Sequence, residues 1–202
     1  MIISKLEALV KPLTQINMDM THIRMLNEIL TIGKFKDVLE IGSYDGASAI
    51  AFIAALNDNA VDQVSFCDIF FQPRFHTVLL EGLYQGGITL ERRSSLEVLN
   101  AHLYDFVFVD GDHSLQTVRE ELSLLLKHGV KHIAAHDTSS SAIGIPACEG
   151  AAYLKYSLKN NPDYHVIEDN RVRPGENTGR GFMFATTDAA LSKRVMAEIF
   201  YI

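Results

Sequence analysis

Residues 38–49, VLEIGSYDGASA, constrain the fold of this chain more than any other stretch. An apolar run ends in Glu40, a short polar turn carries Gly42 and Gly46, and an alanine-rich segment follows. The order is strand, glycine turn, helix, because glycine stands where backbone must bend sharply or let a ligand come close. Such a turn leaves the first N–H groups of the helix unpaired at the strand's end, which suits a carboxylate or phosphate. Glu40 narrows the choice of ligand. A carboxylate there repels a pyrophosphate and attracts an ammonium or a sulfonium. The dinucleotide fingerprint also needs a third glycine, and Tyr44 stands where its second would be.

From Asp37 onward, short apolar runs alternate with helical patterns, which predicts a parallel sheet covered on both faces. The strands are read at Asp37–Ile41, Gln63–Asp68, Ile88–Glu91, Asp105–Asp110, Val130–His136, Tyr164–Glu168 and Gly181–Thr186. Helices fall between them at Ala47–Leu56, Pro73–Tyr84, Ser95–Ala101, Ser114–Lys127 and Pro146–Lys159, with Pro146 suited to a first turn. Ile23–Leu30 and Ala189–Tyr201 bracket this core. At 202 residues with no linker or repeat, the chain reads as one domain. It divides into an N-terminal helical lid segment over 1–36, a β/α core over 37–186 and a C-terminal helix over 187–202. In an open doubly wound α/β sheet of this kind, ligands bind at the carboxyl ends of the strands.

A formal net charge of −7 disfavours a nucleic-acid partner, which needs clustered Lys and Arg. No apolar run reaches membrane-spanning length, and the N-terminal residues do not read as a signal peptide. Two cysteines without a C-x-x-C pair point to a reducing compartment, so the expectation is a cytoplasmic protein.

A zwitterion with a cationic sulfur fits the turn better than a nicotinamide dinucleotide, and S-adenosylmethionine is such a ligand. Glu40, Gly42, Tyr44, Gly46 and Ser48 together resemble motif I of class I S-adenosylmethionine-dependent methyltransferases, particularly catechol- and caffeoyl-type O-methyltransferases. DFVFVDGDHS at 105–114 and HDT at 136–138 resemble a related group acting on sugar hydroxyls and small natural products. The likeness runs from about Val38 to Thr138. It implies a Rossmann-like seven-stranded sheet of order 3-2-1-4-5-7-6, with the last strand antiparallel and helices on both faces.

The resemblance also implies a division of labour. Asp68, 26 residues after Gly42, ends the second strand and would accept the ribose hydroxyls, unless it merely begins a turn. Ser48 would help hold the methionine carboxylate or simply cap its helix, and Ser43 and Tyr44 would pack on the methionine arm. Ser95 would touch the adenine or serve as an N-cap. Asp110 matches a metal-binding Asp beside the cofactor, and Asp137 matches a second one. Where those enzymes have Asn after the second Asp, this chain has Thr138, preceded by His136. Asp110, Asp137 and His136 or Thr138 could hold Mg²⁺, with Mn²⁺ favoured if His136 ligates. His113 stands where those enzymes carry a lysine base, and an imidazole can accept a hydroxyl proton. Asp112 reads as a cap or as an orienter of His113.

The implied activity is metal-assisted O-methylation of a small hydroxylated acceptor, a sugar or a natural product. Alternatives are a metal-independent methyltransferase with His113 acting alone, a catalytically silent S-adenosylmethionine-binding module, and an NAD-dependent oxidoreductase disfavoured by Glu40 and Tyr44. Arg171, Arg173 and Arg180 gather in one loop, which suits an anionic acceptor or, equally, internal ion pairs with Glu168, Asp169 and Glu176. The remaining chemistry-bearing residues read as structural. Met18, Met20 and Met25 suit core or lid packing, and His22, His76, His102, His128, His132 and His165 have no partner pattern. The stripe of Leu191, Val195, Ile199 and Phe200 suits a helix docked on its own chain, or a homo-oligomer interface.

Overall fold

A computed structural model describes residues 4, 5, 7, 8, 18–82, 86–139, 148–171 and 180–200. Its strands, in chain order, are β1 Asp37–Ile41, β2 Gln63–Cys67, β3 Ile88–Glu91, β4 Phe106–Val109, β5 His132–His136, β6 His165–Asp169 and β7 Phe182–Thr186. They form one sheet of order β3-β2-β1-β4-β5-β7-β6. Only β7 runs antiparallel, against both β5 and β6. The doubly wound class and the strand order implied by the resemblance are both present, and strand ends differ from expectation by no more than two residues.

The helices are α1 Met20–Gly33, α2 Ala49–Asn57, α3 Pro73–Glu81, α4 Ser95–Ala101, α5 Leu115–Lys127, α6 Glu149–Lys159 and α7 Ala189–Val195. A π-helical turn, Met196–Phe200, extends α7. α1 is longer than its apolar stripe predicts because the Asp19 carboxylate accepts the Thr21 N–H at 2.7 Å and starts the helix earlier. α2 begins two residues later than expected, since the glycine turn extends to Ser48. Pro146, Tyr84, Arg173, Pro174, Gly175 and Gly179 lie outside the described residues, as does most of the expected lid before α1.

Alternation along the strands divides the core in two. Val38, Phe66, Phe106, Phe108, Phe182 and Phe184 face one side and pack under α1, α2, α3 and α7. Leu39, Val107, Val109, Ile133 and Met183 face the other, under α4, α5 and α6. The first layer is aromatic: Phe52 meets Phe66, Phe106 and Phe108 at centroid distances of 6.0, 6.4 and 6.2 Å. Ile23, Leu26, Ile29 and Leu30 of α1 are fully buried there, so this part of residues 1–36 is a core helix. Met18 and Met25 join it. Leu191, Val195 and Ile199 are buried against the same layer, which commits that stripe to its own chain. Among the described residues no helix is long and apolar enough to cross a membrane.

Gly42 has the most exacting backbone role. It sits at φ +88°, and a Cβ there would lie 2.2 Å from the Asp110 carbonyl oxygen. The glycine lets the end of β1 pass the end of β4, a close approach made by the chain itself rather than by a ligand. Gly129, at φ +65°, meets nothing within 4 Å and isolates the conformational cost alone. Gly42→Ala is therefore expected to destabilise by more than about 2 kcal/mol and Gly129→Ala by only about 1 kcal/mol, measured by urea unfolding. Equal losses would show that the β1–β4 contact does not depend on glycine.

Candidate active site

The sheet's carboxyl edge gathers the polar residues. Glu40 is the next-to-last residue of β1 and fully buried, on the α1/α2 face. Its Oε1 accepts a short hydrogen bond from the Ser48 hydroxyl, which therefore turns toward Glu40 instead of capping α2. Glu40 Oε2 and the buried Ser43 Oγ have no hydrogen-bond partner among the described residues. Burial pushes the Glu40 carboxyl up to about 8; the Ser48 and Ser43 hydroxyls oppose this, and the Asp110 and Asp68 charges add to it. A buried acceptor of this kind at a strand end is matched to a cationic donor.

Asp68, one residue beyond β2, accepts the Tyr44 N–H at 2.8 Å and the Phe70 N–H at 2.9 Å. It ties the glycine turn to the end of β2, with lone pairs left for a further donor. Tyr44 takes a left-handed conformation, φ +40°, and its ring is exposed. Ser95 is not the N-cap of α4. That role falls to Ser94, whose hydroxyl accepts the Glu97 N–H while the Glu97 carboxylate accepts from Ser94, a complete capping box. Ser95 begins the helix beside Glu121, whose carboxyl is buried and pushed up to about 7 by that burial.

The densest cluster lies at the ends of β4 and β5. His136 is fully buried, and its Nδ1 lies 3.5 Å from Asp110 Oδ1 and 3.5 Å from Asp137 Oδ1. Neither contact has good hydrogen-bond geometry, so Nδ1 is an orphaned polar atom between two carboxylates. Asp137 is at φ +55°, a conformation that Asp tolerates better than most residues. Had β5 continued extended, position 137 would point to the opposite face. The left-handed residue instead brings its carboxylate round to Asp110 and His136. Gly181 permits this: its carbonyl accepts the Thr138 N–H, and a Cβ on it would lie 2.5 Å from Ser139 N.

His113 Nε2 lies 3.5 Å from Asp137 Oδ2 and 3.8 Å from Asp110 Oδ1. Arg180 Nη1 lies 3.6 Å from Asp137 Oδ1. Burial opposes charge on His136, but the Asp110 and Asp137 carboxylates outweigh it and raise its pKa. Burial pushes the Asp137 carboxyl up, with His136, Arg180 and His113 opposing and Asp110 adding. Ligand atoms of Asp110, His136 and Asp137 lie within 4.8 Å of one another, as do those of His113, Asp137 and Cys148. The thiol of Cys148 is raised by burial and is thus a poor ligand until a cation displaces its proton.

Among the described residues the buried Thr138 hydroxyl has no hydrogen-bond partner. Asp112, expected as a cap or an orienter of His113, accepts the Ser114 N–H and the Thr117 hydroxyl and so braces Ser114, the N-cap of α5. Of the two expectations for the arginine loop, Arg171 takes the internal ion pair: it engages both Asp169 oxygens at 2.8 and 3.1 Å. The arginine-loop argument for an anionic acceptor thus loses one member and keeps Arg180. His22, read as having no partner pattern, is 1% exposed and its Nδ1 lies 3.2 Å from His136 Nε2. Its only sequence signal is its place on the buried face of α1, beside Ile23 and Leu26. Lys34, Lys36, Tyr104, His132 and Arg194 line a separate groove at the sheet's opposite edge, away from all of these groups.

Residues 39–138 match a family model described as a methyltransferase domain. That stretch, from β1 to just past the end of β5, is similar to this family. A sequence search of curated proteins gives no significant match. Solved structures give the fold independently. The cofactor-bound protein Rv0187 from MTB is 15% identical, with 92% of this chain and 89% of that one covered and a TM-score of 0.71. The O-methyltransferase from Bacillus cereus in complex with SAH is 16% identical, with 92% and 91% covered and a TM-score of 0.69. The O-methyltransferase TomG from Streptomyces achromogenes, involved in tomaymycin synthesis and solved with SAM, is 16% identical, with 92% and 88% covered and a TM-score of 0.67. The chain has the fold of these O-methyltransferases.

Glu40 yields a pH prediction. Its folded pKa of about 8 exceeds the ordinary 4.5, so the folded chain keeps a proton that the unfolded chain releases. Stability is therefore highest at acid pH in this respect and declines as pH rises from about 4.5 to about 8. A cation bound at Oε2 favours the carboxylate and expels that proton. Affinity for S-adenosylmethionine should then rise with pH up to about 8, with proton release seen by calorimetry in buffers of different ionisation heat. Glu40→Gln should weaken binding and abolish the release. Release that persists in Glu40→Gln would assign the proton elsewhere.

Proposed function

We propose that this chain, a single domain over 1–202, is an S-adenosylmethionine-dependent, metal-assisted O-methyltransferase for a small hydroxylated acceptor. The observation that carries the reading is the orphaned Nδ1 of His136, held between the Asp110 and Asp137 carboxylates beside His113. A cation at that point would satisfy all three donors, and the mixed oxygen and nitrogen set suits Mg²⁺ or Mn²⁺. Thr138, with its unpartnered hydroxyl, is the remaining candidate ligand.

Each residue then has a task. Glu40 Oε2 receives the ammonium of the cofactor's methionine part, with Ser48 and Ser43 holding the carboxylate in place. Asp68 accepts the ribose hydroxyls through the lone pairs not used by Tyr44 and Phe70, and Ser95 lies on the adenine side. Gly42 and Gly46 keep the turn tight, and Tyr44 flanks the methionine arm. A divalent ion held by Asp110, Asp137 and His136 would bind the acceptor hydroxyl, lower its pKa and fix its direction. His113 takes the hydroxyl proton at Nε2. The acceptor oxygen forms a bond to the methyl carbon as the sulfur–carbon bond breaks, and the electron pair stays on sulfur. Asp110 borders both halves, since its charge is felt at Glu40 and at His136.

The acceptor class follows from charge. The cluster is acidic, and among the described residues only Arg180 brings a permanent positive charge to it, so a neutral polyhydroxylated molecule, a sugar or a phenolic natural product, suits it. The same balance disfavours nucleic acid. A metal-independent enzyme of the same fold is the second reading. It is favoured by the ion pairs that His136, His113 and Arg180 already make with the carboxylates. Exhaustive chelation separates the two: turnover should vanish and return with Mg²⁺ or Mn²⁺. Full turnover after chelation would establish the second reading, and cofactor binding without methyl transfer to any hydroxylated acceptor would indicate a silent binding module. His113→Ala should lower kcat by about 10²–10⁴-fold with cofactor affinity unchanged. A loss of less than about threefold would leave His113 a positioning role.

A further inference from the structure

We propose that His22 and Asp169 are positioning residues for the cation site, resting on the metal-assisted reading above. They fix which nitrogen of His136 carries a proton. The three side chains form a buried line. Asp169 Oδ2 lies 3.7 Å from His22 Nε2, and His22 Nδ1 lies 3.2 Å from His136 Nε2. Exposures of 2%, 1% and 0% make these contacts dry.

Proton placement along the line follows from donor and acceptor roles. A carboxylate only accepts, so Asp169 draws the His22 proton to Nε2. Neutral His22 then offers a lone pair at Nδ1, and the complementary partner that the described residues place there is a proton on His136 Nε2. With a cation in place of the Nδ1 proton that Asp110 and Asp137 otherwise favour, neutral His136 keeps its Nε2 proton toward His22 and its lone pair on Nδ1, the atom that faces the two carboxylates. That is the tautomer a metal ligand needs, and outer partners of this type set the orientation of ligating histidines elsewhere.

The surrounding structure fixes the line mechanically. Asp169 and His136 end β6 and β5, two strands separated by β7, and Phe182 of β7 pairs in register with both. His22 crosses above that strand, with its ring stacked on Phe182 at 5.5 Å and an interplanar angle of 25°. It meets the His136 ring at 72°, edge to face. Arg171 holds Asp169 from outside through both oxygens. The ligand on β5 is thus oriented by α1 and β6, elements that carry no other proposed role in the reaction.

The test titrates Mn²⁺ into the full chain and follows free ion by electron paramagnetic resonance, with melting temperature recorded for every variant. His22→Ala should weaken Mn²⁺ binding about 10- to 100-fold. His22→Asn, whose side-chain oxygen can take the place of Nδ1 as an acceptor, should recover most of that loss even if both variants melt at the same temperature. A wild-type chain that binds Mn²⁺ with a His22→Ala variant that binds it equally well would overturn this inference and leave the metal reading intact. A wild-type chain that binds no Mn²⁺ would overturn both. Weakening in His22→Ala that His22→Asn does not reverse would make His22 a packing residue and also reject the positioning role.

Discussion

One face of the sheet carries the whole polar edge. Alternation places Val38, Phe106, Phe108, Ala134, Ile167 and Phe182 toward α1, α2, α3 and α7, and the same alternation carries Glu40, Asp110, His136 and Asp169 to that side. Beneath the edge the layer is aromatic and dry. At the edge it turns polar within one or two residues on each of several adjacent strands. Each polar group is thereby buried or half-buried, and each must find a partner or a ligand, because an unpaired buried charge is costly. Glu40 takes Ser48, Asp169 takes Arg171 and His22, and Asp110, His136, Asp137 and His113 share one another. Of the seven buried side-chain atoms without partners among the described residues, Glu40 Oε2, Ser43 Oγ, His136 Nδ1 and Thr138 Oγ1 belong to this same edge, while the two Glu121 oxygens lie on α5 and His128 Nε2 just beyond it. Unmet hydrogen-bonding capacity is concentrated where a zwitterionic ligand and a cation would supply it.

Much of this was legible in the sequence because it follows from periodicity and punctuation. Strand runs such as 105–110 are apolar throughout, since both faces are covered, and the polar residue that ends each run marks the carboxyl edge. Asp68, Asp110 and Asp137 were legible in that way. Gly42 was legible as a backbone device, but its reason was not: the obstacle a side chain would meet is the Asp110 carbonyl, 68 positions along by numbering and adjacent only in the sheet.

What sequence could not give is contact between elements distant along the chain. His22 sits on a helical stripe of Ile23, Leu26 and Ile29, where a single histidine is indistinguishable from a tolerated core residue. Only the crossing of α1 over β7 puts it against His136. An ion pair of Arg171 with Asp169 was legible as one of two readings of that charged stretch, but the place of Asp169 at the end of β6 on the inner face, beside His22, was not. The serine pair at 94 and 95 shows the same limit locally. Either hydroxyl could cap α4, and the Glu97 carboxylate decides for Ser94 because the reciprocal bond needs a three-residue spacing.

Asp137 shows how much the edge depends on a single backbone angle. An extended residue there would send its carboxylate into the layer of Ile133 and Ala135, a charge among apolar side chains with no partner. The left-handed turn costs about 1–2 kcal/mol for a residue with a Cβ, and Asp is among those that tolerate it best. That cost is small beside the burial of an unpaired carboxylate, so the turn is the cheaper conformation once β5 has ended. It in turn requires Gly181, since the chain entering β7 passes Ser139 too closely for any side chain. The antiparallel β7 therefore does more than fill the space between β5 and β6. Its first residues hold the turn that brings Asp137 to Asp110 and His136, and its Phe182 supports the imidazole that orients His136. The last strand of the sheet, with no polar end of its own at this edge, sets the geometry of the two strands that have one.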